Sequence, residues 1–336
     1  MSSRSTTTRA SKTAKETDSD DLSSGQELTG GTPNKVGSAH GVQGGEFADV
    51  VKHAVDGVNK RAGRDMVLAV ISGLVLMGFA ACSLIWFPWA LVVVIAIAIG
   101  GAQVEVGQVM KKLRGISIGY VPLITGSILF ALTAYASRVY PTHVPTLGLW
   151  VIAGLTVVVI MVVRLRGPVE GYLADTAHTI MLFGYPGLLA VSVVLMLAEE
   201  QGPALTFAFL LTVAATDTGG HLMGMAIGKH PVAPRISPKK SWEGLVGSVL
   251  LACASGLVTV IFLLHDAWWK GIIFALVIVV VAFLGDLVES QIKRDLGVKD
   301  MGTLIPGHGG IMDRMDSYIL AAFPAWLVIM WLFPSG

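Results

Sequence analysis

Nine stretches of roughly 20 apolar residues recur along the 336-residue chain, at 66–86, 88–110, 117–136, 147–163, 179–197, 204–226, 245–264, 271–288 and 317–334. About 20 apolar residues in a helix cross the hydrocarbon core of a bilayer. In lipid each segment must satisfy its own backbone N–H and C=O groups, so the helix is the form such runs take. The chain is therefore expected to be all-α, a polytopic integral membrane protein with about nine transmembrane helices. Its charge agrees. Only 14% of residues are charged, against about a quarter in a soluble domain, and they cluster between the apolar runs. A net charge of +1 provides no basic field, so a nucleic-acid partner is not expected.

The first 65 residues hold no apolar core of the kind a cleavable signal peptide needs, and none is expected. Residues 1–45 are rich in Ser, Thr and Gly, with an acidic patch at Glu16, Asp18, Asp20 and Asp21 that argues against a transit peptide. Such a segment buries too little to fold and reads as a disordered polar tail. Over 46–65 the residues Phe47, Val50, Val51, Ala54, Val55 and Val58 form one helical stripe, flanked by Lys52, Lys60, Arg61 and Arg64. This amphipathic helix either lies in the membrane interface or packs on the protein's own loops; both readings stand. The rest divides into N-terminal transmembrane helices, 66–200, and a C-terminal transmembrane catalytic region, 201–336. Cys82 and Cys253 lie inside apolar runs without CxxC spacing and read as small packing residues.

Basic residues in the connections set the orientation. One set of alternate loops holds Lys111, Lys112, Arg114, Arg164, Arg166, Lys229, Arg235, Lys239, Lys240, Lys293, Arg294, Lys299 and Arg314; the other holds Arg138 and Lys270. The rich face is expected to be cytoplasmic. The two longest connections, 227–244 and 289–316, open to that face.

Ionisable groups at membrane depth are costly and usually mark function. Asp217 interrupts the sixth apolar run, Asp286 and Glu289 end the eighth, and Asp313 and Asp316 open the ninth. Each i, i+3 pair shares a helix face. Carboxylates gathered at one depth suit a hard cation such as Mg²⁺, which takes one or two carboxylates plus substrate phosphates. A plainer reading makes Asp313 and Asp316 a helix start with acids at the positive dipole end; it does not explain the facing pair. Between the pairs, Lys293 and Arg294 precede Gly307, His308, Gly309 and Gly310. Cations suit a polyphosphate, and glycines let backbone N–H groups approach phosphate oxygens. The bland alternative is a solvated loop facing lipid headgroups.

The stretch from Ser290 to Asp316 reads S-x-I-K-R, four residues, K-D-x-G, two residues, I-P-x-H-G-G-I-x-D-R-M-D, and directly follows Gly285-Asp286-Leu287-x-Glu289. It resembles the signature of phosphatidate cytidylyltransferases (CDP-diacylglycerol synthases) at every fixed position. An earlier block agrees: Asp217-Thr218-Gly219, Gly228-Lys229-His230 and Ile236-Ser237-Pro238-Lys239-Lys240-Ser241-Trp242-Glu243-Gly244. It departs at His221, where an aromatic is common, and at Ser241, where threonine is common. The specific resemblance covers residues 210–320.

The resemblance implies an enzyme that joins CTP and phosphatidate into CDP-diacylglycerol and pyrophosphate, in phospholipid biosynthesis. It also implies membrane lipids around the site, a cell-membrane location with the active site facing the cytoplasm, and room for a homodimer. By resemblance, Asp286, Asp313 and Asp316 hold Mg²⁺, with scope for a second, monovalent cation. Lys239, Lys240 and Arg314 are catalytic, as is His308 unless it only shapes the loop. Asp217, Ser237, Glu289, Ser290, Lys293, Arg294, Gly309 and Gly310 bind substrate. Three rivals remain: an ion-coupled transporter built on broken helices, a scaffold for anionic lipid, and, within the nucleotide-dependent class, a related enzyme acting on another lipid phosphate or a polyprenol kinase using CTP. Transporter sites sit near the bilayer midplane in paired repeats, whereas these acids gather at one face. The scaffold explains the basic loops but not the acids.

Overall fold

The structure is a computed structural model that describes residues 66–140, 147–302 and 309–334. The expected polar tail, the amphipathic helix over 46–65 and His308 lie outside the described residues. What is described is mostly helical: α1 (Met66–Trp86), α2 (Pro88–Arg114), α3 (Tyr120–Val139), α4 (Leu147–Arg164), α5 (Tyr172–Leu182), α6 (Leu189–Leu197), α7 (Gly202–Ile227), α8 (Trp242–Val258), α9 (Trp268–Leu296) and α10 (Met312–Leu332). Wider π-helical turns join α5 to α6 over Phe183–Leu188 and extend α8 over Thr259–Leu263. The first of these contains Pro186, which has no N–H to donate, and the widened turn keeps the helix continuous there.

Among the described residues, seven helices are long and apolar enough to cross a membrane. They are α2, α3, α4, α5 running into α6, α8, α9 and α10. In α7 the 26-residue length suffices, but Asp217, Gly219, Gly220 and His221 dilute its apolarity. The outer faces suit hydrocarbon. On α4 only Thr156 and Ile160 are buried, while Trp150, Val151, Leu155, Val158 and Val162 point outward.

One apolar core joins α2, α3, α5 and α6 around Ile99, Leu123, Leu182 and Phe183. A second joins α6, α7, α9 and α10 around Met196, Phe209, Phe274, Ile278 and Ile329. Lipid gives helices no hydrophobic reason to associate, so close packing of small residues matters. At the α7–α8 crossing, Gly219 and Gly247 lie backbone against backbone, and Gly220 faces Ser248. The Ser248 hydroxyl donates to the Thr216 carbonyl at 2.7 Å. A Cβ on Gly219 would run into the Gly247 carbonyl oxygen. Gly219→Ala should therefore destabilise the protein by about 1–3 kcal/mol through overpacking. Thermal unfolding in detergent checks this, with Gly154→Ala, where a Cβ meets nothing within 4 Å, as the neutral control.

The connection after α7 departs from the all-helical expectation. It folds into a small antiparallel hairpin, β1 (Pro231–Ala233) with β2 (Ser237–Ser241), Pro231 opposite Ser241 and Ala233 opposite Ser237. Glu243, in the first turn of α8, staples it. Its carboxylate accepts the Lys229 and His230 backbone N–H groups at 3.1 and 3.3 Å and contacts His230 Nδ1 at 2.6 Å. Ser241 caps α8, its hydroxyl accepting the Gly244 N–H at 3.1 Å.

Candidate active site

β2 ends where α8 begins, and this junction faces the last turns of α9 and the first turns of α10. Between them and α7 lies a cavity of about 380 Å³. Its wall includes Asp217 from α7, Ser237, Lys239 and Lys240 from β2, Asp286 from α9, and Asp313, Arg314 and Asp316 from α10. Four segments far apart in sequence thus bring acids and bases to one opening.

Asp217, Lys240, Asp286, Asp313 and Asp316 are each held by a neighbour. Lys240 Nζ sits 2.6 Å from Asp286 Oδ2 and 4.5 Å from the centre of the Phe283 ring, so α9 grips this lysine through an ion pair and a cation–π contact. Ser290, one turn beyond Asp286, donates to Asp286 Oδ1 at 3.2 Å. The Ser317 hydroxyl donates to Asp217 Oδ1 at 3.1 Å, and its backbone N–H donates to Asp316 Oδ1 at 2.7 Å. Ser317 therefore couples α7 to α10. α9 and α10 can approach here because Gly285 has no side chain: a Cβ would lie 2.7 Å from the Asp316 carbonyl oxygen.

Asp313 is engaged differently. It accepts Lys293 Nζ at 3.0 Å, the Met301 N–H at 3.0 and 3.2 Å, and the Gly310 N–H at 2.8 Å. Gly309, at φ 80°, turns the backbone into this position, where a Cβ would sit 3.0 Å from Asp313 Oδ2. Lys293 also pairs with Glu289, one turn earlier on α9 and fully buried.

Of the residues expected at the site, Asp217, Ser237, Lys239, Lys240, Asp286, Asp313, Arg314 and Asp316 line the cavity. Glu289, Ser290, Lys293, Arg294, Gly309 and Gly310 do not. Glu289 and Asp286, three apart on α9, diverge: one faces the cavity, the other the Lys293 bridge. Arg294 donates from Nε to the Ile236 carbonyl at 3.3 Å and so ties the hairpin to α9. The Gly310 N–H is given to Asp313. The sequence reading passed over Ser317, whose place directly after Asp316 was its signal. It also passed over Glu105, an acid in the second apolar run.

Residues 67–333 match the sequence profile of the cytidylyltransferase family. The chain belongs to that family. The cytidylyltransferase is 37% identical over 287 residues to the phosphatidate cytidylyltransferase of Mycobacterium leprae, covering 80% of this chain and 89% of the relative. It is 36% identical over 286 residues to the phosphatidate cytidylyltransferase of Mycobacterium bovis, covering 80% and 90%. A shorter match of 39% over 139 residues links it to the phosphatidate cytidylyltransferase of Brucella suis, covering 41% of this chain and 52% of that one.

The fit of a cation can be judged from the donors themselves. Asp286 and Asp316 bring carboxylate oxygens to the cavity from α9 and α10, and Asp217 is linked to Asp316 through Ser317. Among the described residues no three His, Cys, Asp or Glu side chains are already gathered around one point. Carboxylate oxygens are the kind of donor a hard divalent ion takes beside water and substrate phosphates. Asp313, expected as a third ligand, lines the same cavity and accepts from Lys293, Met301 and Gly310.

Proposed function

We propose that this cytidylyltransferase is a phosphatidate cytidylyltransferase, joining CTP and phosphatidate to give CDP-diacylglycerol and pyrophosphate. The observation that supports this most is the mixed lining of the cavity. Lys239, Lys240 and Arg314 line one cavity of about 380 Å³ together with Asp217, Asp286 and Asp316.

The nucleophile is an oxygen of the phosphatidate phosphomonoester, already mostly ionised near neutral pH because its second pKa is about 6. A general base is therefore unnecessary. The oxygen attacks the α-phosphorus of CTP, the new P–O bond forms as the α–β bridging bond breaks, and pyrophosphate leaves with that electron pair. The task left to the protein is to neutralise two anions and align them. Lys239 and Lys240 are placed to receive the triphosphate, held at that height by the stapled hairpin. Arg314 adds charge from the first turn of α10. Asp286 and Asp316 would hold a Mg²⁺ ion, which supplies charge neutralisation at the phosphates when bound. Ser317 and Ser290 orient those carboxylates. Asp313 anchors the signature segment.

In this reading α1 and α7 also cross the bilayer, making nine spans, with the cavity at the cytoplasmic face. CTP then enters from water and phosphatidate from the surrounding lipid.

Purified protein in detergent, given labelled CTP, Mg²⁺ and phosphatidate, should form CDP-diacylglycerol and pyrophosphate in equal amounts. EDTA should reduce turnover to background and added Mg²⁺ should restore it. Formation of CDP with phosphoryl transfer to lipid would replace this reading with a kinase. Solute flux in vesicles without nucleotide use would replace it with a transporter.

A further inference from the structure

Glu105 is an acid in the middle of an apolar helix, on α2 and about 14 Å of helical rise before its basic end at Arg114. It is 8% exposed. An acid so placed needs a partner, and it finds one 207 residues away in sequence. Oε2 accepts the backbone N–H of Met312 at 3.0 Å. Met312 opens α10, so this N–H is one of the donors that a helix leaves unsatisfied in its first turn. A carboxylate there also meets the positive end of the helix dipole.

The same carboxylate is packed against two glycines inside the signature segment. A Cβ on Gly302 would lie 2.5 Å from Oε1, and one on Gly310 would lie 2.5 Å from Oε2. One turn earlier on the same face, Gly101 leaves a notch filled by Ile311. From the other side Asp313 accepts the N–H groups of Met301 and Gly310. Two carboxylates, one from each half of the chain, thus hold the backbone at 301–302 and 309–310 between them. Asp313, Arg314 and Asp316 lie on the helical turn that Glu105 caps.

We propose that Glu105 is a positioning residue for nucleotidyl transfer, fixing the first turn of α10 against the signature glycines so that Arg314 and Asp316 face the cavity. It lines no part of the cavity and acts through the backbone it holds. The inference rests on the reaction proposed above, and its test separates the two.

Glu105→Ala should lower kcat about 30-fold or more, the scale for losing a charged acceptor from a buried N–H, with the KM values for CTP and phosphatidate within threefold. Glu105→Gln keeps an oxygen for the Met312 N–H and should return kcat to within about fivefold of wild type. Gly302→Ala should cost about tenfold in the wild type by displacing the carboxylate, and nothing further in Glu105→Ala, because coupled sites are not additive. Hydrogen exchange over residues 309–320 should quicken in Glu105→Ala and not in Glu105→Gln.

A kcat for Glu105→Ala within threefold of wild type, or the same Gly302→Ala cost in both backgrounds, overturns the proposal. If the wild type makes no CDP-lipid, the reaction assignment fails and exchange alone decides: quickening in the alanine variant supports the clamp, and equal exchange in all three proteins ends it. If Glu105→Ala cannot be purified, Gly302→Ala decides alone, with a tenfold loss supporting the proposal and a loss under twofold overturning it.

Discussion

Asp286→Asn should reduce CDP-diacylglycerol formation by about a thousandfold while leaving the folded protein in the membrane, a loss typical of removing a group that stabilises charge at the reacting centre. The side chain is one-third exposed to the cavity, and it balances the Lys240 ammonium at 2.6 Å. The amide keeps the shape and the contact with Ser290. What disappears is the charge that pairs with Lys240 and that, in the proposed mechanism, would face a divalent ion. Thermal unfolding in detergent should change less than for Asp313→Asn, because this part-buried pair opens onto the cavity, where solvent screens it. Retention of more than a tenth of wild-type turnover would remove Asp286 from the proposed mechanism.

Asp313→Asn should be as damaging to turnover, with a different signature. Asp313 receives three donors, Lys293 and the N–H groups of Met301 and Gly310. An asparagine offers one oxygen and turns an NH₂ group toward donors that have nothing to accept with. Breaking a buried charge pair costs about 3–5 kcal/mol, and Lys293 would then be left with the buried Glu289 alone. Turnover should fall below detection, and the unfolding temperature should fall with it. A variant with unchanged stability and measurable CDP-lipid synthesis would show that Asp313 does not anchor the segment. Activity paired with thermal unfolding therefore distinguishes the two aspartates.

The apolar runs were legible in the sequence because crossing lipid leaves a helix little choice of composition. The acids were legible for the complementary reason: a carboxylate at that depth is conspicuous. Where each acid points was harder to read. Asp286 and Glu289 share a face by spacing, yet Glu289 and Lys293, four apart on α9, form an ion pair and lie outside the cavity lining. That i, i+4 pair was visible in the sequence; its preference over substrate contact depends on Asp313 arriving from α10. The hairpin over 231–241 was not legible, since Pro231, Pro238 and two lysines read as loop. Its staple, Glu243 on the N–H groups of Lys229 and His230, is a side chain to backbone contact that no residue pattern announces. Glu105 stayed hidden for the same reason. Its partner is an N–H, which every residue but proline possesses.

The Lys240–Asp286 contact makes one ammonium the property of two anions. In the reaction proposed above, a triphosphate drawn to Lys240 would compete with the carboxylate 2.6 Å away, so a change at either partner should register in nucleotide affinity as well as in turnover.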